Sequence, residues 1–204
     1  CISDTHSLQD NMRHAIPEGD ILIHAGDISN RGGQKDVTDF IDWYMGLKYD
    51  TKIFIAGNHD RIVQDDPQWF KGTLTGYKTI EYLEDEGMSI YDMDEDSSIK
   101  LYGSPWQPEF YNWAFNLPRN GEEMKAKWDA IPDDTDILVT HGPPYGYLDI
   151  PGGHNIRVGC EMLRERVETF KPKIHVFGHI HGSAGYYFNG HTHFINAAVL
   201  NEQY

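Results

Sequence analysis

Short apolar runs alternate with amphipathic stretches along this chain, and each run closes on glycine or on a polar cluster. Ile21-Leu22-Ile23-His24-Ala25, Ile53-Phe54-Ile55-Ala56, Asp136-Ile137-Leu138-Val139-Thr140 and Lys173-Ile174-His175-Val176-Phe177 are nearly continuous and rich in β-branched and aromatic residues. Runs of that length and kind predict buried strands. Cys1-Ile2-Ser3 reads as the last turn of another. Val37, Phe40, Ile41, Tyr44 and Leu47 recur at helical spacing, which predicts a helix over 34–48. Strand, helix and strand then make a βαβ unit with a right-handed crossover. In such sheets functional side chains collect beyond the carboxyl ends of the strands.

The remaining pattern predicts smaller elements. Residues 7–15 read as a short polar helix, 61–78 as a loop with Trp69 and Phe70 against the core, and 79–86 as a helix closed by Gly87. Met88–Tyr91 and Ile99–Tyr102 read as strands around the acidic run Asp92–Asp96. That run reads as a solvated hairpin turn and not as a calcium loop, since Ser97 and Gly103 stand where such a loop needs glycine and glutamate. Met124, Trp128 and Ile131 predict a short helix, and Leu163, Val167 and Phe170 give one face of another, from 159 to 170. Before them, Gly103 to Arg119 is a long aromatic loop that could stack on a base or cover a site, or else packs on the sheet.

Composition narrows the class. A chain of 204 residues suits a single domain over 1–204, burying roughly 70% of its unfolded surface. No apolar run approaches the roughly 18 residues of a membrane span. Cys1 and Cys160 stand alone, without the spacing of a zinc knot or a disulfide framework, so the cytoplasm is the expected compartment. With 32 acidic against 17 basic residues the net charge is −15, which argues against extensive nucleic-acid binding. A phosphate site in such a protein would draw its positive charge from metal. The chain starts without methionine and stops just after an apolar run, so both ends read as cuts.

The strand exits carry the chemistry. Asp4-Thr5-His6 places two potential ligands on one side of extended backbone, or is a capping turn. Asp27 follows the second strand; Arg31 beyond it is a phosphate contact or a solvated loop residue. Gly57-Asn58-His59-Asp60 offers an amide oxygen, an imidazole and a carboxylate that could fix its tautomer, or is only a turn. His141 is followed by Gly142-Pro143-Pro144, and His179 and His181 form a chelating pair between glycines. His24 lies inside its strand and reads as a core or supporting residue; His191 and His193 read as exposed hairpin positions. Five such exits in one sheet system are hard to explain as separate turns. Their oxygen and imidazole donors, without thiolate, suit manganese, iron, zinc or cobalt. Seven ligands suit two ions roughly 3.5–4 Å apart bridged by a carboxylate and a hydroxide.

The ordered set D-x-H, G-D, G-N-H-D, H-G and G-H-x-H is similar to the calcineurin-like metallophosphoesterase superfamily across nearly the whole chain. Gly103-Ser104-Pro105-Trp106, Phe115-Asn116-Leu117-Pro118-Arg119, Thr140-His141-Gly142-Pro143-Pro144 and Arg157-Val158-Gly159-Cys160 resemble its metallophosphoesterase-domain-containing branch. The resemblance implies a four-layer α/β/β/α sandwich of two mixed β-sheets flanked by helices, with a dinuclear metal site at the strand C-terminal ends. It implies that Asp4, His6 and His181 hold one metal, that Asn58, His141 and His179 hold the other, and that Asp27 bridges both. It further implies that a metal-bridging hydroxide attacks phosphorus in line while His59, oriented by Asp60, protonates the leaving group. Arg31 matches the G-D-x-x-x-R-G spacing of the protein phosphatases, although Asn30 replaces their aspartate. The function expected is hydrolysis of a small phosphodiester or cyclic nucleotide with two divalent ions, manganese foremost. The alternatives are a phosphomonoesterase with the same metals and a non-catalytic scaffold that binds protein partners.

Overall fold

A computed structural model describes residues 1–12, 15–77, 79–92, 97–201 and 203. In chain order the elements are β1 (Ile21–His24), α1 (Gln34–Gly46), β2 (Thr51–Phe54), α2 (Arg61–Asp65), α3 (Pro67–Leu74), β3 (Ile80–Tyr82), β4 (Glu86–Asp92) and β5 (Ser97–Ser104). There follow β6 (Gln107–Pro108), β7 (Asn116–Leu117), α4 (Glu122–Asp129), β8 (Ile137–Thr140), α5 (Glu161–Phe170), β9 (Ile174–Phe177), β10 (Gly185–Phe188) and β11 (His193–Asn196).

Successive strand side chains point to opposite faces, and here each face joins a different core. Leu22, Phe54 and Ala56 meet Val37, Phe40, Ile41 and Tyr44 of α1 and Phe70 of α3. Their neighbours Ile23, Ala25, Ile53 and Ile55 point the other way, onto Leu101, Val139 and Val176. On the far side Tyr102, Leu138 and Phe177 pack beneath Met124 and Trp128 of α4 and Leu163 and Val167 of α5. Three apolar layers between helix, sheet, sheet and helix make the four-layer sandwich. The Tyr44 hydroxyl pins α1 to the small sheet, lying 2.9 Å from both Leu22 O and Ile53 O.

The small sheet has order β1-β2-β3 and the large one β10-β11-β9-β8-β5-β4. All described pairs of the small sheet are parallel, whereas the large sheet is mixed, with β4 and β10 antiparallel at its edges. The N-terminal segment ties the sheets together. Ile2 bridges to His24 and Ser3 to Ala198, both in parallel. No helix among the described residues is long and apolar enough to cross a membrane.

Several expected elements differ. Residues 61–78 hold α2 and α3: the Asp66 side chain accepts from Trp69 N at 3.1 Å and Pro67 begins the helix, so a capped turn was present in the sequence. Residues 79–86 are not helical, because Ile80 and Tyr82 alternate with Glu81 and pair with β2. Of the polar helix at 7–15 only the 3₁₀ turn Gln9–Asn11 forms among the described residues. Asp92 pairs with Ser97 across an antiparallel ladder, while 93–96, most of the expected acidic turn, lie outside the described residues. The aromatic loop contains the short parallel pair β6–β7.

Candidate metal centre

All five strand exits open at one end of the sandwich, because their strands run parallel. Asp4 and His6 leave the N-terminal segment, Asp27 leaves β1, Asn58 and His59 leave β2, His141 leaves β8, and His179 and His181 leave β9. Four of these residues have left-handed backbone, with φ of 58° at Asp4, 45° at His6, 54° at Asp27 and 67° at His179. Such conformations cost on the order of 1–3 kcal/mol each and persist only where neighbours enforce them. Here Asp4 N donates to Gly26 O at 2.9 Å and His6 N to Asp27 O at 3.1 Å. Glycine admits the close approach. A Cβ on Gly178 would lie 2.0 Å from Asp4 Oδ2, and one on Gly57 2.3 Å from Asp27 Oδ1.

The side chains converge. His181 Nε2 is 3.2 Å from Asp4 Oδ1 and 3.3 Å from His6 Nε2. Asp27 Oδ2 lies 3.6 Å from His6 Nε2 and 3.4 Å from His141 Nε2, and its Oδ1 accepts from His59 N at 2.8 Å. The amide oxygen of Asn58 is 2.9 Å from His141 Nε2. Three overlapping sets result: Asp4, His6 and His181; His6, Asp27 and His59; and Asp27, His141 and His179, each with ligand atoms within 4.8 Å of one another.

Electrostatics favour a cation here. Burial pushes the Asp27 carboxyl up, but His141, His6 and His59 outweigh it and hold it well below the usual carboxylate range. Asp4 is likewise lowered: burial opposes ionisation, and the hydrogen bond from His181 with the charge of His141 prevails. The same carboxylates raise His141 to about 9 against its burial. Burial alone dominates at His179, pushed down to about 3, and at His6, also lowered. Two buried carboxylates held ionised, ringed by imidazoles and an amide oxygen, form a donor set fitted to divalent metal. Aspartate, asparagine and histidine atoms all face the same small volume, so the residues present fit the ions the sequence implies.

His59 stands beside this cluster. Its Nδ1 donates to Asn30 O at 2.7 Å, leaving Nε2 for the cavity, and its ring stacks on Trp113. Asp60 does not orient it. The buried Asp60 carboxylate instead accepts from Gly57 N at 2.8 Å, Ile28 N at 3.2 Å, Ser29 N at 2.9 Å and the Ser29 hydroxyl at 2.7 Å. It therefore knits the exits of β1 and β2 together; burial, reinforced by Asp27, pushes it up to about 6. The chain turns Asp60 back toward Gly57 as α2 begins, which carries it away from the ring.

Arg31 also departs from expectation. It is exposed and does not line the cavity of about 370 Å³ over the cluster. The arginine that does is Arg119, whose guanidinium donates to Val158 O, Gly159 O and Glu161 at 2.6–2.7 Å. The remaining wall is largely apolar, with Phe110, Pro108, Pro143, Pro151 and Ile180, and Glu109 at the mouth. His24 is wholly buried, 3.0 Å from Thr5 Oγ1, so it supports the D-x-H segment rather than facing the cluster. His191 and His193 are exposed on the β10–β11 hairpin.

A family model described as calcineurin-like phosphoesterase matches residues 1–183. The chain belongs to the calcineurin-like phosphoesterase family. Metallophosphoesterase domain-containing protein 1 of Homo sapiens and of Mus musculus are each 42% identical over the whole of this chain, which spans 66% of their length. Phosphopantetheinyl hydrolase from Mycobacterium tuberculosis shares the fold, with a TM-score of 0.63 at 14% identity, over 99% of this chain and 89% of that one. Members of this family hydrolyse phosphoesters with divalent metal, which accords with the donor set described above.

Proposed function

We propose that this chain is a metal-dependent phosphodiesterase acting on small diesters or cyclic nucleotides. Asp4, His6 and His181 would hold one ion, Asn58, His141 and His179 the other, with Asp27 between them. Manganese is the proposed pair, with iron, zinc or cobalt as chemically equivalent occupants. When bound, two such ions supply Lewis acidity at a phosphoryl oxygen and lower the pKa of water. His59 delivers a proton from Nε2 to the departing oxygen while the carbonyl of Asn30 keeps the other proton on Nδ1.

The preference for diesters rests on Arg119. Among the described residues it is the one lysine or arginine lining the cavity, and its guanidinium already donates to Val158 O and Gly159 O and pairs with the Glu161 carboxylate at the start of α5. Beyond the two ions themselves, a dianionic monoester would meet Glu109 and apolar walls, with no further lysine or arginine among the described lining residues to offset its second charge. A monoanionic diester with an aryl or nucleoside arm suits Phe110 and the prolines better. The test compares bis(p-nitrophenyl) phosphate, cyclic AMP and p-nitrophenyl phosphate with manganese, before and after EDTA. Faster, EDTA-sensitive diester turnover is expected. Faster monoester turnover would favour the monoesterase reading, and no turnover with fewer than two bound ions the scaffold reading.

A further inference from the structure

Among the described residues the His59 ring meets three groups. Nδ1 bonds to Asn30 O at 2.7 Å, His6 meets it edge-on at 4.5 Å between centroids, and the Trp113 indole lies against its face at 4.3 Å and 24°. Trp113 is itself fastened to the segment that carries His59. Asn112 O accepts from Arg61 Nη1 at 2.9 Å, Ala114 N donates to Asn58 O at 3.0 Å, and Phe115 N donates to Gln64 Oε1 at 2.9 Å. Left-handed residues bracket it, Tyr111 at φ 50° and Phe115 at φ 52°. Strained backbone of this kind is retained where a loop must hold one shape.

We propose that Trp113 is a positioning residue for His59, an inference that rests on the phosphodiesterase reading. A histidine ring turns about a broad torsion, and one hydrogen bond leaves it free to pivot about the Nδ1···O axis. Asn30 sets the rotation of the ring; the indole sets its plane. Together they aim Nε2 into the cavity, where proton transfer to a leaving oxygen requires a reach of about 2.6–3.2 Å. The aromatic loop thus acts on the chemistry from behind the histidine.

The test uses Trp113→Ala and Trp113→Phe with manganese on methyl aryl phosphates whose leaving phenols rise in basicity. General acid catalysis is worth about 10²- to 10⁴-fold, so Trp113→Ala should lower kcat about 10- to 100-fold for the most basic phenol and about threefold or less for p-nitrophenol, at similar KM. Trp113→Phe, which keeps a stacking ring, should recover most of the loss, and the Trp113→Ala/His59→Ala double variant should be no slower than His59→Ala. A uniform loss across the series, or losses that multiply in the double variant, overturns the proposal. A second readout needs no turnover. The indole ring current should hold the His59 ring protons upfield in the proton NMR spectrum, and Trp113→Ala should move them downfield while Trp113→Phe largely does not. Unmoved ring protons in Trp113→Ala overturn the proposal; absence of aryl diester turnover in the parent chain overturns the functional reading, and the ring protons still decide the clamp.

Discussion

Replacing Gly57 by alanine isolates the packing on which the metal centre depends. Gly57 does not have positive φ, so alanine brings no backbone penalty and only the methyl group counts. That methyl would lie 2.3 Å from Asp27 Oδ1, 2.4 Å from Asp27 N and 2.6 Å from His141 Cε1. Ordinary separation between such heavy atoms is about 3.5 Å, so Asp27 and His141 must each retreat by about 1 Å. Rotating the Asp27 carboxylate does not solve the clash, because its backbone nitrogen is blocked as well. Overpacking of this kind costs about 1–3 kcal/mol of stability. A misplacement of about 1 Å in a catalytic constellation costs on the order of 10²-fold in rate. The assay is a manganese titration with ion counting, paired with diester turnover and urea unfolding. The control is Gly72→Ala in α3, where the methyl meets nothing within 4 Å and should gain about 0.5–1 kcal/mol. Full binding of two ions by Gly57→Ala, at wild-type affinity, would refute the reasoning.

Two other expectations follow from the same geometry. His175 is fully buried beside Thr140, and burial pushes its pKa from 6.5 down to about 3. The unfolded chain takes up this proton near pH 6.5 and the folded chain does not until about pH 3, so the stability it contributes is complete above 6.5 and lost as pH falls; by pH 5 the loss is about 2 kcal/mol. Urea midpoints of His175→Gln should therefore fall less steeply than wild type between pH 7 and 5, and parallel curves would contradict the assignment. Arg31→Ala, an exposed change outside the cavity, should leave kcat/KM within about twofold, matching the roughly 0.5 kcal/mol of ordinary surface substitutions. A tenfold rise in KM would show that Arg31 reaches the phosphate.

The sequence by itself determined the strands that converge and the residues they deliver. Asp4, His6, Asp27, Asn58, His59, His141, His179 and His181 each lie within a few residues of the end of a short strand-like run, and a parallel strand places its exit at the same end of the sheet as its neighbours. The helix-period stripe of α1 was equally legible, since Val37, Phe40, Ile41 and Tyr44 all reach the core. Shorter elements were not. Ile80-Glu81-Tyr82 is too brief for its alternation to outweigh helix-forming neighbours, and pairing with β2 decides its state.

Tertiary structure alone decided how the delivered residues divide their work. Asp60 sits beside His59 in sequence yet serves Gly57, Ile28 and Ser29, because the backbone turns between the two side chains. The partners of His59 come instead from Asn30 and Trp113, on other loops. Arg31 carries the spacing of a phosphate ligand but is exposed to solvent, whereas Arg119 enters the cavity and spends its charge on its own wall. Local sequence fixes which group leaves a strand, since that depends on a few dihedral angles. What the group touches depends on loops that fold back from distant points in the chain, and no spacing records that closure.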